Sequence, residues 1–273
     1  MRIGFHFPFS GNLMRLKERI SVTRGNTFQV FARSLRGGKI QKISQKQLYE
    51  FEYFLHQKNI KPIIVHAPYT YNLAKEGSED IDKVVEDLTM AKKIGATYYI
   101  LHPGYSKGIH PLLAVENVKE NIKVILESTD WDGQILIKNM AGAGSELGYK
   151  LEEWNEMISF HTKVKGALDF SRLYAAGYDF ITSEKTKERY EEIDAKVGWE
   201  KIEVLYINDT IKGCGSRKND KKPIPLGEGL INFMGYEHIL TYPEIKKKLW
   251  IVENQPDVSY VDQSIEFLTK FHE

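Results

Sequence analysis

The sequence of 273 residues has little cysteine and no long apolar run. Its single cysteine, Cys214, excludes an internal disulfide and a cysteine-rich metal centre. No segment approaches the roughly 18 apolar residues of a membrane span, and the first residues lack the apolar core of a signal peptide. We therefore expect a cytoplasmic or nucleoid-associated protein that is not secreted and has no membrane partner.

The sequence also lacks an excess of charge of either sign. Lys and Arg number 38 against 37 Asp and Glu, which gives a formal charge of +1. Bulk charge therefore does not indicate a nucleic-acid-binding protein, and any site for a polyanion must be a local patch. With 42% hydrophobic residues the chain can bury a sizeable core, and we take a monomer as the default state.

Short apolar runs alternate with longer segments that have a helix-like spacing of apolar residues. The runs that we interpret as strands lie at 2–7, 26–31, 62–66, 97–102, 134–139, 165–170, 202–208 and 248–253. Helical spacing is clearest at 45–58, 79–94, 111–127 and 183–194. Strands that alternate with helices favour a parallel sheet, and eight such units without a linker favour its closure. We predict an α/β fold in which residues 1–273 form a single (β/α)8 TIM barrel.

The predicted strands end in polar residues, which is unusual for such apolar runs. These end positions are His6, His66, His102, Lys138, Asn139, Asp169, Tyr206 to Asp209, and Glu253. In a TIM barrel the carboxyl ends of the strands build the active site. Buried ionisable groups are costly unless they are paired or bind metal. The pattern therefore predicts a functional cleft at this mouth of the barrel.

Several segments carry a resemblance to a known family. They are IGFHFPFSGN, HAPYTYNLA, LHPG, NMAGAGSELG, LDFSRLYAAGYD, INDTIKGCGSRKND, PLGEGLI and IVENQPD, in this order along the chain. In order and spacing the sequence resembles the endonuclease IV family of apurinic/apyrimidinic (AP) endonucleases. The resemblance implies a trinuclear zinc site that hydrolyses the phosphodiester 5′ to an abasic nucleotide, with metals that generate a hydroxide and neutralise charge.

Part of the family's metal-ligand set is present in this sequence. By resemblance, His66 and His102 match the two histidine ligands of the first metal. Asp169 and Glu253 match carboxylate ligands of the second metal, and Asp220 matches the aspartate of the third. These five residues are the candidate metal ligands.

Other ligand positions carry residues that suit zinc poorly. Lys138 stands where the family has its bridging glutamate, Arg172 and Tyr206 stand where it has histidines, and Lys222 replaces a third histidine. Because a cation cannot ligate zinc, we expect that the trinuclear cluster does not assemble.

Two arrangements remain open for the mouth. The remaining His and carboxylate ligands could hold at most one divalent metal, zinc or manganese. Alternatively, no metal binds, and Lys138 and Arg172 pair with Asp169 and Glu253 in the volume of the lost metals. We favour the second arrangement.

Loops that contact DNA in the family are basic and aromatic here. The candidate DNA-binding residues are Arg33, Arg36, Gly37, Tyr69, Tyr71, Tyr206, Ser216, Arg217, Lys221 and Lys222. Cations suit phosphate contacts, and aromatic rings suit stacking where a nucleotide is displaced. The predicted partner is DNA that contains an abasic or otherwise damaged site.

Three functions remain open from the sequence. The chain could process damaged DNA with one metal or none, with Lys138, Asp169, Arg172 and Glu253 as catalytic candidates and Lys138 as a Schiff-base nucleophile. It could be a catalytically silent protein that binds nucleic acid or a phosphate-bearing ligand. It could also be a sugar-phosphate isomerase-like barrel, because this fold hosts many reactions.

Overall fold

Eight parallel strands close into a barrel, and neighbours in the sequence are neighbours in the sheet. This computed structural model describes residues 2–9, 11–33, 40, 43–222, 224–253 and 258–271. The strands are β1 (Arg2–Phe7), β2 (Thr27–Phe31), β3 (Ile63–His66), β4 (Tyr98–Leu101), β5 (Gln134–Lys138), β6 (Val164–Asp169), β7 (Ile202–Tyr206) and β8 (Leu249–Val252). The predicted fold class is confirmed, and β8 closes the barrel by pairing with β1.

Helices alternate with the strands. They are α1 (Leu13–Ser21), α2 (Gln45–Gln57), α3 (Ile81–Lys93), α4 (Pro111–Glu127), α5 (Leu151–Ser159), α6 (Phe170–Ala176), α7 (Ser183–Lys196), α8 (Asn232–Ile239), α9 (Pro243–Lys246) and α10 (Val258–Thr269). The predicted helices therefore agree with α2, α3, α4 and α7 to within about two residues. Within the described ranges, no helix has both the length and the apolar character needed to cross a bilayer.

Local sequence signals set where several helices begin. Asn12 precedes α1, and its side chain accepts hydrogen bonds from the backbone N–H groups of Met14 and Arg15. Ser44 and Gln47 form a capping box at the start of α2. Such caps satisfy N–H groups that have no partner inside the helix, and each contributes about 1 kcal/mol.

The core has two layers on opposite faces of the sheet. The inner layer fills the barrel with Ile64, Ile100, Leu136, Ala167, Val204, Tyr206, Leu249 and Ile251. A larger outer layer packs the other face of the strands against the helices. Because side chains alternate along a strand, the residue two positions after an inner-layer residue also points into the barrel.

Asp209 organises the long connection between β7 and α8. Its buried carboxylate accepts hydrogen bonds from five backbone N–H groups at 2.8 to 3.1 Å. The donors are Thr210, Gly227, Gly229, Ile231 and Asn232. This carboxylate therefore ties both ends of the connection to the end of β7, and the loop between them lies over the mouth.

Candidate functional site

Strand alternation directs the polar end residues into one mouth. Lys138 follows the inner-layer residue Leu136 by two positions, and Asp169 follows Ala167 in the same way. The same offset places His66, His102, Tyr206 and Glu253 after Ile64, Ile100, Val204 and Ile251. The predicted cluster at the carboxyl ends of the strands is therefore present.

Lys138 lies at the centre of this cluster and is completely buried. Its Nζ is 2.9 Å from Asp169 Oδ2 and 2.9 Å from Glu253 Oε2. The ammonium also lies 3.4 Å from the centroid of the Tyr206 ring. Burial is the largest single influence on the pKa of Glu253 and raises it, but the Lys138 ammonium and the other polar neighbours together hold that pKa well below its usual range.

Two amides connect the carboxylates to the rest of the mouth. Asn208 Nδ2 lies 3.2 Å from both Asp169 Oδ2 and Glu253 Oε2. Gln29, which is fully buried on β2, donates to Glu253 Oε1 at 3.1 Å and accepts a hydrogen bond from the Tyr206 hydroxyl. These contacts hold the ion pairs in one geometry, and the role of Gln29 was missed from the sequence.

Asp169 also caps the short helix α6. Its Oδ1 accepts from the backbone N–H and hydroxyl of Ser171 and from the backbone N–H of Arg172. The Arg172 Nε lies 3.7 Å from Asp169 Oδ2, and its Nη1 contacts Met140 Sδ at 3.1 Å. Arg172 thus adds a second, more exposed cation beside the buried lysine.

Two histidines and a tyrosine pack together as an aromatic cluster at the same mouth. His66 and His102 are buried with ring centroids 5.2 Å apart, and Tyr69 stacks on His102 at 5.1 Å. His66 Nδ1 contacts the carbonyl oxygen of Ala67, whereas the Nε2 atoms of both histidines lack hydrogen-bond partners among the described residues. Burial lowers the pKa of His66 to about 3 and that of His102 well below its usual value, so both rings are neutral at pH 7.

A cavity of about 270 Å³ opens above these groups. Its lining includes Tyr69, His102, Asp169, Arg172 and Glu253 from the strand ends. The loop after β7 contributes Lys218, Asp220, Lys221 and Lys222. The cavity thus has a paired ionic floor and a basic rim.

Asp220 faces this cavity beside the exposed lysines Lys221 and Lys222. Its Oδ2 accepts a hydrogen bond from the Thr210 hydroxyl at 2.5 Å. The buried Oδ1 has no partner within the described part of the chain. Asp220, the candidate ligand of the third metal, is therefore followed by two lysines, of which Lys222 stands where the family has a histidine by resemblance.

The neighbouring loop residues are only partly available to a ligand. Arg217 donates from Nε to the carbonyl oxygen of Gly142 at 2.9 Å, and its guanidinium lies 4.4 Å from the centroid of the Tyr149 ring. Ser216 is half-buried, and its hydroxyl has no partner in the described ranges. Neither residue lines the cavity, whereas the next residue, Lys218, does.

Three of the predicted DNA contacts have other partners in the structure. Arg33 donates to Asp87 at 2.7 Å and to Glu86 at 3.0 Å, and the buried Tyr71 hydroxyl contacts the same Asp87 carboxylate. These two residues thus hold α3 against the barrel instead of facing a ligand. Tyr206 is completely buried beneath Lys138 and is likewise inaccessible to DNA.

Two further predicted DNA contacts, Arg36 and Gly37, lie outside the described residues.

The predicted metal ligands do not all converge on one point. Among the described residues, no group of three or more His, Cys, Asp or Glu side chains has an arrangement that could hold a metal ion. His66 and His102 pack against each other, while Asp169 and Glu253 contact Lys138.

The barrel and its polar mouth define a xylose isomerase-like TIM barrel, and the model of that family matches residues 25–271. The chain is 34% identical over 259 residues to a probable endonuclease 4 of Carboxydothermus hydrogenoformans, covering 93% of this chain and 90% of the relative. The probable endonuclease 4 of Halothermothrix orenii is 29% identical over 277 residues, and the match covers 98% of this chain and 98% of that protein. The crystal structure of endonuclease IV from Thermus thermophilus superposes with a TM-score of 0.86 at 25% identity, covering 99% of this chain and 98% of that one. The chain therefore belongs to the endonuclease IV family.

Proposed function

We propose that this protein binds DNA at abasic or otherwise damaged sites through its barrel mouth, and that it has largely lost the trinuclear zinc hydrolysis of its family. The pairing of Lys138 with Asp169 and Glu253 is the observation that carries the proposal. The curated relatives are named as endonucleases, which supports DNA as the ligand class.

The residues present do not fit a trinuclear zinc cluster. Zinc takes thiolate, imidazole or carboxylate ligands, and a protonated lysine offers no lone pair. The Lys138 ammonium lies within 2.9 Å of the two carboxylates that would bind the second metal, so a dication there would meet a fixed positive charge. Arg172 and Lys222 stand at two further ligand positions and are cationic as well.

The same replacements suit direct contact with phosphate. Arg172, Lys218, Lys221 and Lys222 line the cavity, and the three lysines are exposed at its rim. Fixed cations can neutralise a DNA backbone that zinc ions would otherwise contact. The Tyr69 ring is partly exposed beside this rim and offers a stacking surface in the gap that a missing base leaves.

The Schiff-base role considered for Lys138 has no support in this geometry. Its ammonium is inaccessible, and it is held by two carboxylates and an aromatic ring. A lysine nucleophile must be neutral and must reach the sugar aldehyde. Lys138 is therefore a positioning residue in this proposal.

Fluorescence anisotropy with duplexes that differ only by one abasic site tests the proposal. We expect tighter binding to the abasic duplex in the presence of EDTA, and an affinity that falls as salt rises because counterions are released. Lys222→Ala should weaken binding and lower the slope of log K against log salt by roughly 1 if it loses one phosphate contact.

Lys93→Ala is the matched control. Lys93 is an exposed lysine at the end of α3, away from the cavity lining, and its substitution should leave affinity and salt slope unchanged. Equal affinity for abasic and intact duplexes would exclude lesion recognition. An affinity that does not depend on salt would exclude phosphate contact.

A further inference from the structure

We propose that Lys138 and Tyr206 together form a built-in cation site that replaces a metal ion and keeps the barrel mouth assembled without one. By the resemblance described above, Lys138 and Tyr206 stand where the family has a bridging glutamate and a histidine ligand. This inference rests on the loss of the zinc cluster in the proposed function but not on DNA binding, so it can fail while DNA binding holds.

The first argument is that the lysine ammonium has a complete set of partners. Two of its directions are taken by Asp169 Oδ2 and Glu253 Oε2 at 2.9 Å each, and the Tyr206 ring lies 3.4 Å away. An ammonium has three donors, and a ring face attracts a cation. Burial of Lys138 is therefore compensated by contacts that a neutral side chain could not provide.

The second argument is that Tyr206 depends on the same cluster. Its ring covers the ammonium, and its hydroxyl donates to Gln29, which in turn donates to Glu253 Oε1. A histidine at position 206 would present ring nitrogens to the ammonium instead of an aromatic face with a distant hydroxyl. A tyrosine at position 206 therefore stabilises the ammonium of a lysine at position 138, whereas a histidine at position 206 would be able to bind a metal ion.

The third argument concerns the carboxylates. Asp169 and Glu253 both approach Asn208 Nδ2 at 3.2 Å, so they lie close together in the buried mouth. Two carboxylates held this close repel each other unless a cation lies between them. Lys138 supplies that cation permanently, whereas a metal ion could be removed by a chelator.

The experiment compares thermal unfolding and zinc content in variants of the full chain. The wild-type protein should retain almost no zinc after desalting, and EDTA or added zinc should not shift its Tm. Lys138→Ala should lower Tm by roughly 10 °C because it leaves Glu253 without its ammonium partner and Asp169 with only the Arg172 guanidinium at 3.7 Å. Added zinc should restore part of that loss, because the carboxylates then face an open space.

The double variant Lys138→Glu/Tyr206→His tests the replacement directly. It offers two new ligands beside Asp169 and Glu253, and it should retain about one zinc per chain and become sensitive to EDTA. Lys165→Ala is the matched control: Lys165 is a half-buried lysine near the start of β6, and its loss should shift Tm little and should create no response to zinc.

Three results would overturn the inference. One is a wild-type Tm that falls in EDTA. Another is a Lys138→Ala variant that matches the Lys165→Ala control in Tm and in its response to zinc. The third is a folded double variant that retains no zinc. If the double variant does not fold, the first two comparisons still decide.

Discussion

Replacing Asp209 by asparagine should loosen the connection that carries Asp220, Lys221 and Lys222 over the mouth. In the structure the Asp209 carboxylate is 2% exposed and accepts all its hydrogen bonds from the backbone. Asparagine has nearly the same shape, but one of its two polar atoms is a donor. The substitution therefore changes the hydrogen bonding while it leaves the packing almost intact.

The size of the effect follows from the number of donors on each oxygen. Oδ1 accepts from Thr210 and Ile231, while Oδ2 accepts from Gly227, Gly229 and Asn232. Whichever way the new amide turns, at least two buried N–H groups face a donor. Each such loss costs about 1 to 3 kcal/mol, so we expect Asp209→Asn to lower the free energy of unfolding by about 4 kcal/mol.

Urea unfolding followed by tryptophan fluorescence measures this loss. Asp194→Asn on the exposed face of α7 makes the same chemical change and should alter stability by less than about 0.5 kcal/mol. Gly229→Ala should also destabilise, because an added Cβ would lie 2.2 Å from Asp209 Oδ1. A loss of under about 1 kcal/mol in Asp209→Asn would refute the role assigned to this carboxylate.

Two further predictions concern buried charge. Burial lowers the pKa of His6 to about 4, below its unfolded value of about 6.5. The neutral His6 ring therefore makes its full contribution to the free energy of unfolding above pH 6.5. As the pH falls from 6.5 towards 4, this contribution decreases by about 1.4 kcal/mol per pH unit. Urea titrations at several pH values should therefore show a shallower acid slope for His6→Gln, and an unchanged slope would contradict the shift. Arg33→Met should cost about 3 kcal/mol in unfolding free energy because Asp87 stays buried without its counter-charge, yet it should not change the salt slope of DNA binding. A reduced salt slope in Arg33→Met would instead indicate that Arg33 contacts a DNA phosphate.

The polar mouth could be predicted from the sequence because two simple periodicities coincide there. Parallel strands bring their carboxyl ends to one edge, and the alternation of side chains assigns every second residue to the barrel interior. The sequence alone therefore predicts that Lys138 and Asp169 lie close together. The same alternation places the Tyr206 side chain inside the barrel, two residues after Val204. It therefore argues against a contact between Tyr206 and DNA.

Other features depended on partners that are distant in the sequence. The sequence alone predicts that Arg33 and Tyr71, as basic and aromatic loop residues, are available to contact DNA. In the structure, the Asp87 carboxylate on α3 binds both of them. The sequence places Gln29 within an apolar strand, and its polar contacts with Glu253 and Tyr206 span more than a hundred residues of sequence. Only the closed barrel brings these groups together, so local pattern carries little information about them.

The most direct test of the account is the zinc content of the purified protein, measured together with cleavage of an abasic duplex with and without EDTA. The paired mouth around Lys138 predicts almost no retained zinc, binding of the abasic duplex in EDTA, and no EDTA-sensitive incision. About three zinc ions per chain with cleavage that EDTA abolishes would contradict it.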